Sequence, residues 1–423
     1  MKRIIDKNWN LKFINRDKLF LLSSQIISAL IGILFGKLIA IYFLPREFGE
    51  YNILLATYTF FFSLFISPLL QYLKTITNTK LLKDNFRIYL KLTSLLNLAS
   101  VCFLTIALWF NDKLNTEIFF LTILVFPANF LYNLLLDYFN VKGDLRQFSK
   151  LGMFFNILTL LFLIIAIFFF KIYIDSVILL WFVQILSYIV VVVFFIKKYQ
   201  IFKLSKSSIA FKVYLKKYLV YSWPLMILAF WNWINSYFDR YLIEYFLSLK
   251  EVGLYNANVS LGSKVFLMLN PFFLAILTPI VFNQEATFYE KKQKIKKYAK
   301  TYFFIGLILL FSLYLGYDFL GSILLSKNYS EGFHIIFWSA LGYFLITFAY
   351  LFEVIFYFQK RTKVILMANL VSAIIGVILN IILIPKLGLN GAFFGLVISG
   401  VVRLLVIWLN YNKINHIQDI SNL

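Results

Sequence analysis

The chain has 423 residues, is 61% hydrophobic and only 14% charged, and carries a formal net charge of +22. Soluble domains run nearer half apolar and a quarter charged, so this composition excludes an ordinary water-soluble domain and turns the basic balance into a question of membrane topology rather than nucleic acid. The single cysteine, Cys102, excludes an internal disulfide, and neither His334 nor His416 has a Cys or second His at metal-site spacing.

Apolar runs near 19–43, 51–73, 88–110, 117–139, 150–171, 176–196, 219–246, 253–282, 301–325, 333–358, 364–385 and 389–410 predict twelve membrane-crossing helices. A hydrocarbon core of about 30 Å needs about 20 apolar residues per helix, whereas a closed barrel would show alternating segments of about ten. The fold class is therefore all-α and polytopic. The basic start (Lys2, Arg3, Lys7, Lys12, Arg16, Lys18) leads into a span too long for the apolar region of a cleavable signal, with no small-residue cleavage site after it.

Sorting Lys and Arg by alternate connections puts 31 on one side and 6 on the other, with Lys37, Arg240, Lys264 and Arg403 left inside spans. That asymmetry predicts cytoplasmic N- and C-termini and an even number of spans. A repeat runs through the chain at an offset of 204 residues: Glu47, Gly49, Tyr51 and Asn52 recur as Glu251, Gly253, Tyr255 and Asn256. Six spans fit within that offset, so the halves are parallel repeats about an axis along the membrane normal. The expected organisation is a six-helix lobe over 1–200, a basic cytoplasmic linker over 201–218 and a second six-helix lobe over 219–423. Glu at the start of each incoming helix favours its dipole, and the Gly two residues later permits a close approach. In the first span Ser28, Gly32 and Gly36 recur every four residues, a spacing that predicts close helix packing.

The seventh span is amphipathic in an unusual way. At 100° per residue, Asn232, Asn235, Ser236, Asp239 and Arg240 share one arc, extended by Trp233, Tyr237 and Glu244, while Trp231, Ile234, Phe238, Tyr241 and Leu242 face away. The eighth span repeats the device with Asn256, Ser260, Ser263 and Lys264, continued by Asn270 and Pro271. A charge at mid-membrane costs about 2.5–3.5 kcal/mol on insertion scales, so such residues pair, snorkel or border a wet cavity. Arg240 has Asp239 beside it and Glu244 one turn on, which reads either as a satisfied network or as part of a site. Lys264 reads as a cavity residue or a snorkelling one. Lys37 is close enough to a helix end to snorkel, and Arg403, after the small-residue stretch 391–400, stands open between the two readings. Glu353 and Asp137 lie near cytoplasmic helix ends and read as interfacial. Trp233 and Tyr237 offer faces that stack on sugar rings or pack in the core. There is no P-loop, dinucleotide fingerprint or His-Glu-x-x-His, so no ATPase or metalloenzyme is expected.

Several of these segments resemble one family. Tyr221-Ser222-Trp223-Pro224-Leu225, Phe238-Asp239-Arg240-Tyr241-Leu242-Ile243 and Glu251-Val252-Gly253-Leu254-Tyr255-Asn256 resemble the central signature of Wzx-type polysaccharide flippases. Leu44-Pro45-Arg46-Glu47-Phe48-Gly49-Glu50-Tyr51 and the turn Leu379 to Ala392 fit as well. The resemblance implies the multidrug/oligosaccharidyl-lipid/polysaccharide exporter superfamily, with two six-helix lobes about a central cleft lined mainly by spans one, two, seven and eight. It implies a transporter rather than an enzyme, moving undecaprenyl-pyrophosphate-linked oligosaccharide units for O-antigen, lipopolysaccharide or capsule across the bacterial cytoplasmic membrane by rocking between two states. Substrate contacts would come from Arg240, Lys264, Lys37, Arg403, Trp233, Tyr237, Asn256 and Ser260. It implies proton or sodium coupling, for which Asp239 and Glu244 are the candidates, with no other cofactor and no metal site. Its implied partners are the lipid-linked oligosaccharide, the bilayer, a polysaccharide polymerase and a chain-length regulator, with no nucleic acid.

Two readings share this fold: a lipid II flippase, with the same chemistry, and a drug or cation exporter, against which the excess of embedded cations argues. A membrane polymerase or ligase would carry a large outer loop, and the outer connections here are short.

Overall fold

The computed structural model describes residues 16–76, 86–199, 211–283 and 285–413. Among them the regular structure is helical: α1 (Arg16–Tyr42), α2 (Pro45–Phe61), α3 (Ser67–Ile76), α4 (Phe86–Phe110), α5 (Thr116–Val141), α6 (Leu145–Phe169), α7 (Ser176–Tyr199), α8 (Phe211–Phe246), α9 (Leu249–Phe282), α10 (Phe288–Leu324), α11 (His334–Phe358), α12 (Thr362–Leu387) and α13 (Leu389–Lys413). A π-helical turn at Phe62–Ile66 joins α2 to α3 without a loop, so the two count as one long helix. Among the described residues eleven helical stretches are long and apolar enough to cross a membrane. The twelfth expected span is α8, and the polar residues that set it apart in the sequence are the ones that keep it below that level of apolarity.

Short polar signals start and stop the helices. The side chains of Asn115, Asp144 and Ser248 accept hydrogen bonds from Ile118 N, Gln147 N and Glu251 N. Thr287 and Glu290 cap α10 reciprocally, each satisfying an orphan donor of a first turn. At Gly388, φ is 61°, a left-handed conformation that suits glycine and lets α12 reverse directly into α13.

Two compact units emerge. Unit 1 holds residues up to Phe35 and Phe65–Trp223, and unit 2 holds Gly36–Leu64 and Pro224–Leu423. They are cut differently from the two halves of the repeat, because 36–64 goes with the C-terminal half. The chain crosses from one unit to the other inside continuous helices: at Gly36 in α1, in the π-helical turn, and at Pro224 in α8. Each is a place where the helical hydrogen-bond ladder or its propensity is weakened. Of the expected linker, 201–210 lies outside the described residues, and 211–218 is the first part of α8.

In unit 1, α5 packs on α7 and α4, and α6 on α7. Aromatic side chains, notably Tyr132, Phe155 and Tyr188, fill the seam. Lys74 of α3 pairs with Asp137 of α5 at 2.9 Å. In unit 2, α9 and α13 both pack on α11, and α12 and α13 lie side by side. The core there is a ring stack of Phe266, Tyr302, Phe344 and Phe348, with the Tyr302 hydroxyl 2.7 Å from Thr347 Oγ1.

The repeated motif explains why 36–64 belongs to unit 2. Its two copies are packed against each other where α2 meets α9. A Cβ on Gly49 would overlap the Leu249 carbonyl and stand 2.9 Å from Gly253 N, and a Cβ on Gly253 would overlap the Pro45 carbonyl. The glycines are thus required for backbone contact. The small-residue stripe of α1 behaves otherwise: a Cβ on Gly32 or Gly36 meets nothing within 4 Å. Spacing alone had predicted close packing there, but no neighbour stands against those positions among the described residues.

The contrast yields a prediction. Gly253→Ala forces carbonyl and methyl apart and should lower stability by about 1–3 kcal/mol, the usual cost of overpacking. Gly32→Ala should be neutral. Thermal unfolding of the purified protein, followed by fluorescence-detected size exclusion, should show a lower midpoint for the first variant only.

Candidate functional site

Unit 2 carries a half-open cavity of about 730 Å³, within the 300–1,000 Å³ range of small-molecule sites. It lies among α8, α9, α11, α12 and α13, and its lining mixes apolar residues such as Leu274, Ile346 and Leu396 with polar ones: Asn232, Asn235 and Ser236 from α8, Tyr343, Tyr350 and Glu353 from α11, Asn369 and Ser372 from α12, Ser399 and Arg403 from α13. Helical period creates this surface. On α12, Asn369, Ser372 and Asn380 fall at spacings of three and eight, which places them on one side of the helix, and all three are buried within the unit.

The two charges at the cavity neutralise each other. Arg403 donates from Nη2 to Glu353 Oε1 at 2.9 Å and from Nε to the same oxygen at 3.1 Å. Its guanidinium also lies over the Tyr350 ring, 4.7 Å from the centroid. Glu353 is 3% exposed and Arg403 9%. The sequence had read Glu353 as interfacial; the structure places it in the core of unit 2, and Arg403 accordingly is a paired cation rather than a bare one. Burying either alone would cost several kcal/mol, which is why the two are found together.

Arg240 lies in a second polar cluster, at the meeting of α8 and α9. Its Nε donates to Asn256 Oδ1 at 2.5 Å, its Nη1 donates to the Ser236 carbonyl at 2.7 Å, and its guanidinium lies 4.4 Å from the Tyr237 ring centroid. The sequence suggested pairing with Asp239 or Glu244; what Asp239 Oδ1 accepts is the Arg240 backbone N–H, at 2.9 Å. Asn256 is buried, and its amide nitrogen donates to the Val252 carbonyl at 3.1 Å. The equivalent Asn52 makes the same bond to Phe48 at 2.6 Å. The repeat's asparagine is thus a helix-bound anchor, and only its second copy receives an arginine.

The aromatic candidates hold α8 in place. Trp233 Nε1 donates to the Ala56 carbonyl at 2.8 Å, and its ring lies against Phe60 and Tyr237. Tyr241 bonds Thr57 at 2.7 Å, and Asn235 Nδ2 donates to the Asn369 carbonyl at 3.2 Å. Ser260 is exposed, with its hydroxyl donating to Ala257 O at 2.8 Å. Glu244 is partly buried near the end of α8. Lys264 and Lys37 are partly buried and make no hydrogen bond or ion pair among the described residues. Thus Arg240, Trp233, Tyr237, Asp239 and Asn256 come together in one cluster, Arg403 belongs to the cavity, and Lys264, Ser260 and Lys37 border neither.

Beside the large cavity is a small one of about 30 Å³, lined by Asn235, Asp239, Tyr255, Asn380, Gly395 and Ser399 among others. Asn380 Oδ1 has no hydrogen-bond partner. A Cβ at position 395 would overlap that oxygen, so Gly395 leaves room for it. The space suffices for one water-sized occupant, which needs about 10–15 Å³.

The model of the polysaccharide biosynthesis protein family matches residues 14–285 of this sequence. The chain belongs to that family. Among solved structures, the lipid II flippase MurJ in an inward closed conformation has a TM-score of 0.65 at 16% identity, over 93% of this chain and 88% of that one. An inward-facing multidrug resistance MATE family transporter of the MOP superfamily has 0.68 at 13% identity, over 93% and 98%. MATE in the bent conformation has 0.56 at 15%, over 94% and 95%. No curated protein matches the sequence. At such identities the likeness is one of fold: this family member has the all-α, multi-pass architecture of MOP-superfamily proteins, as the Wzx-like motifs implied.

Sequence reasoning missed the residues that build the family member's main cavity. Asn369, Ser372, Ser399, Tyr343 and Tyr350 carry no charge, and a search guided by the cost of embedded charge passes over them. The polar side of α12 was the available signal.

The buried pair gives a second prediction. Glu353→Ala leaves the Arg403 charge buried without its partner and should destabilise by about 3–5 kcal/mol. Glu353→Leu with Arg403→Met should recover most of the loss. Thermal midpoints of the two singles and the double check this, the double lying above both.

Proposed function

We propose that this chain is a flippase that carries polyprenyl-pyrophosphate-linked oligosaccharide units across the bacterial cytoplasmic membrane by alternating access, with N- and C-termini on the cytoplasmic side. The observation that carries the reading is the half-open cavity of about 730 Å³ with polar side chains in its lining, in a member of the polysaccharide biosynthesis family. Such a substrate has a polar head group that hydrocarbon excludes and an apolar tail that water excludes, so its passage requires a polar chamber at membrane depth. The 31-to-6 split of basic residues between alternate connections supports the orientation. Gly36, the π-helical turn and Pro224 supply helix weak points where the chain passes between units, which suits a protein that changes state.

The anionic pyrophosphate needs cations that are not already engaged. Lys264 and Lys37 meet that condition among the described residues, whereas Arg403 is neutralised by Glu353 and Arg240 is bonded to Asn256 and Ser236. Lys264 and Lys37 are therefore assigned to the pyrophosphate, and Arg240 to orienting the polar face of α8. For coupling, Asp239 beside the small cavity, with the unpartnered Asn380 oxygen, gives a carboxylate and an amide oxygen suited to a proton or a sodium ion. A drug exporter is the weaker reading, because the carboxylate at the large cavity is already paired and leaves no net negative charge for an organic cation.

Proteoliposomes containing fluorescent undecaprenyl-pyrophosphate-linked oligosaccharide test the proposal. Wild-type protein should move the label between leaflets, Lys264→Ala should slow it tenfold or more without loss of folded protein, and Lys264→Arg should restore it. No movement by correctly folded wild-type protein under either a proton or a sodium gradient contradicts the reading. Asp239→Asn should abolish the response to the coupling gradient while leaving gradient-independent exchange, measured in the same vesicles.

A further inference from the structure

We infer that the large cavity of unit 2 is a glycan subsite that accepts uncharged sugar residues and discriminates against acidic ones. The inference rests on the flippase reading and names which part of the substrate this chamber takes.

The charged residues lining the cavity are Glu353 and Arg403, and they are joined to each other at 2.9 Å. The lining therefore has no net charge. A phosphate or carboxylate brought into it would be desolvated without a free counter-charge, because the Arg403 guanidinium is already taken by Glu353, so anions are disfavoured. Yet polar side chains are interspersed with the apolar ones of the lining. The side-chain amides of Asn232 and Asn369 and the hydroxyls of Tyr343, Tyr350 and Tyr357 have no hydrogen-bond partner among the described residues. An amide offers two donors and an acceptor, and a phenol one of each, a set that matches the vicinal hydroxyls and acetamido groups of neutral sugars. Asn369 is only 7% exposed and lines the cavity.

Glu353 thereby acquires a role beyond stability. Its carboxylate cancels the Arg403 charge and sets what the chamber admits. Replacing it with glutamine keeps an oxygen for the Arg403 N–H groups to reach and leaves the guanidinium charge uncancelled, which should convert a neutral-sugar site into one that tolerates a carboxylate on the sugar.

The test uses the full chain in lipid nanodiscs and two probes: undecaprenyl pyrophosphate bearing a neutral trisaccharide of glucose and N-acetylglucosamine, and the same lipid with one glucose replaced by glucuronic acid. Binding is read by microscale thermophoresis. Wild type should bind the neutral probe at least tenfold more tightly than the acidic one, and Glu353→Gln should shrink that ratio by tenfold or more. Asn369→Ala, which leaves the ion pair intact, should weaken the neutral probe about tenfold and the sugar-free lipid not at all. Equal binding of the two glycans by wild type, or an unchanged ratio in Glu353→Gln together with an unchanged neutral affinity in Asn369→Ala, overturns the inference and leaves the flippase reading standing. Failure of wild type to bind any of the lipid-linked probes overturns both.

Discussion

The organisation of unit 2 follows from one constraint: a polar side chain inside an apolar helical wall must be bonded, paired or open to water, because leaving it otherwise costs several kcal/mol. Sorting the residues by this rule separates three populations. Asn52 and Asn256 spend their amide N–H groups on carbonyls of their own helices, Arg240 ties α8 to α9 through the Asn256 oxygen, and Trp233 and Tyr241 tie α8 to α2. Glu353 and Arg403 satisfy each other. A third group, Asn232, Asn369 and the tyrosines of α11, lines one cavity, while Asn258, Asn270 and Asn380 each keep a buried amide oxygen without a partner among the described residues. The first group is scaffold, the second fixes the charge of the chamber, and the third gives it something to say to a ligand.

The same rule redistributes roles among the embedded cations. Counting charges by insertion cost treats Lys37, Arg240, Lys264 and Arg403 as equivalent. Their surroundings do not. An arginine that gives two N–H groups to one carboxylate oxygen is electrostatically spent, and an arginine bonded to an asparagine and a carbonyl retains its charge but not its freedom. The lysines, compact charges on flexible stems, are those left to answer an anion. In the proposed flippase the chemistry would therefore be divided in space: capture of the anion by lysine, and recognition of neutral groups in a chamber whose own charges cancel.

Much of the fold was legible because it is written in periods. Twelve apolar runs correspond to the helices, and the polar arc of α8 is visible in the sequence itself. The repeat at offset 204 identified Gly49 and Gly253 as places of close approach, and the structure shows why: the two copies lie backbone to backbone. The small-residue stripe at Gly32 and Gly36 misled, since spacing reports which residues share a face and not whether a neighbour stands against it. The Glu353–Arg403 pair was illegible for a related reason. The residues are 50 positions apart, on helices whose mutual rotation no local pattern encodes. Uncharged cavity residues were illegible too, because an isolated Asn or Ser in a span is cheap enough to occur anywhere.

Whether the chamber is wet is the point on which the account stands, and cysteine accessibility measures it directly. With Cys102 replaced by serine, Ser372→Cys and Ser399→Cys on the cavity and Ile308→Cys on the exposed apolar side of α10 can be treated with a charged, membrane-impermeant thiol reagent in native membranes opened to both sides. The account predicts rapid labelling at the two cavity positions and none at 308, with labelling slowed by added lipid-linked oligosaccharide. Cavity cysteines as unreactive as the one at 308 in every condition would contradict it.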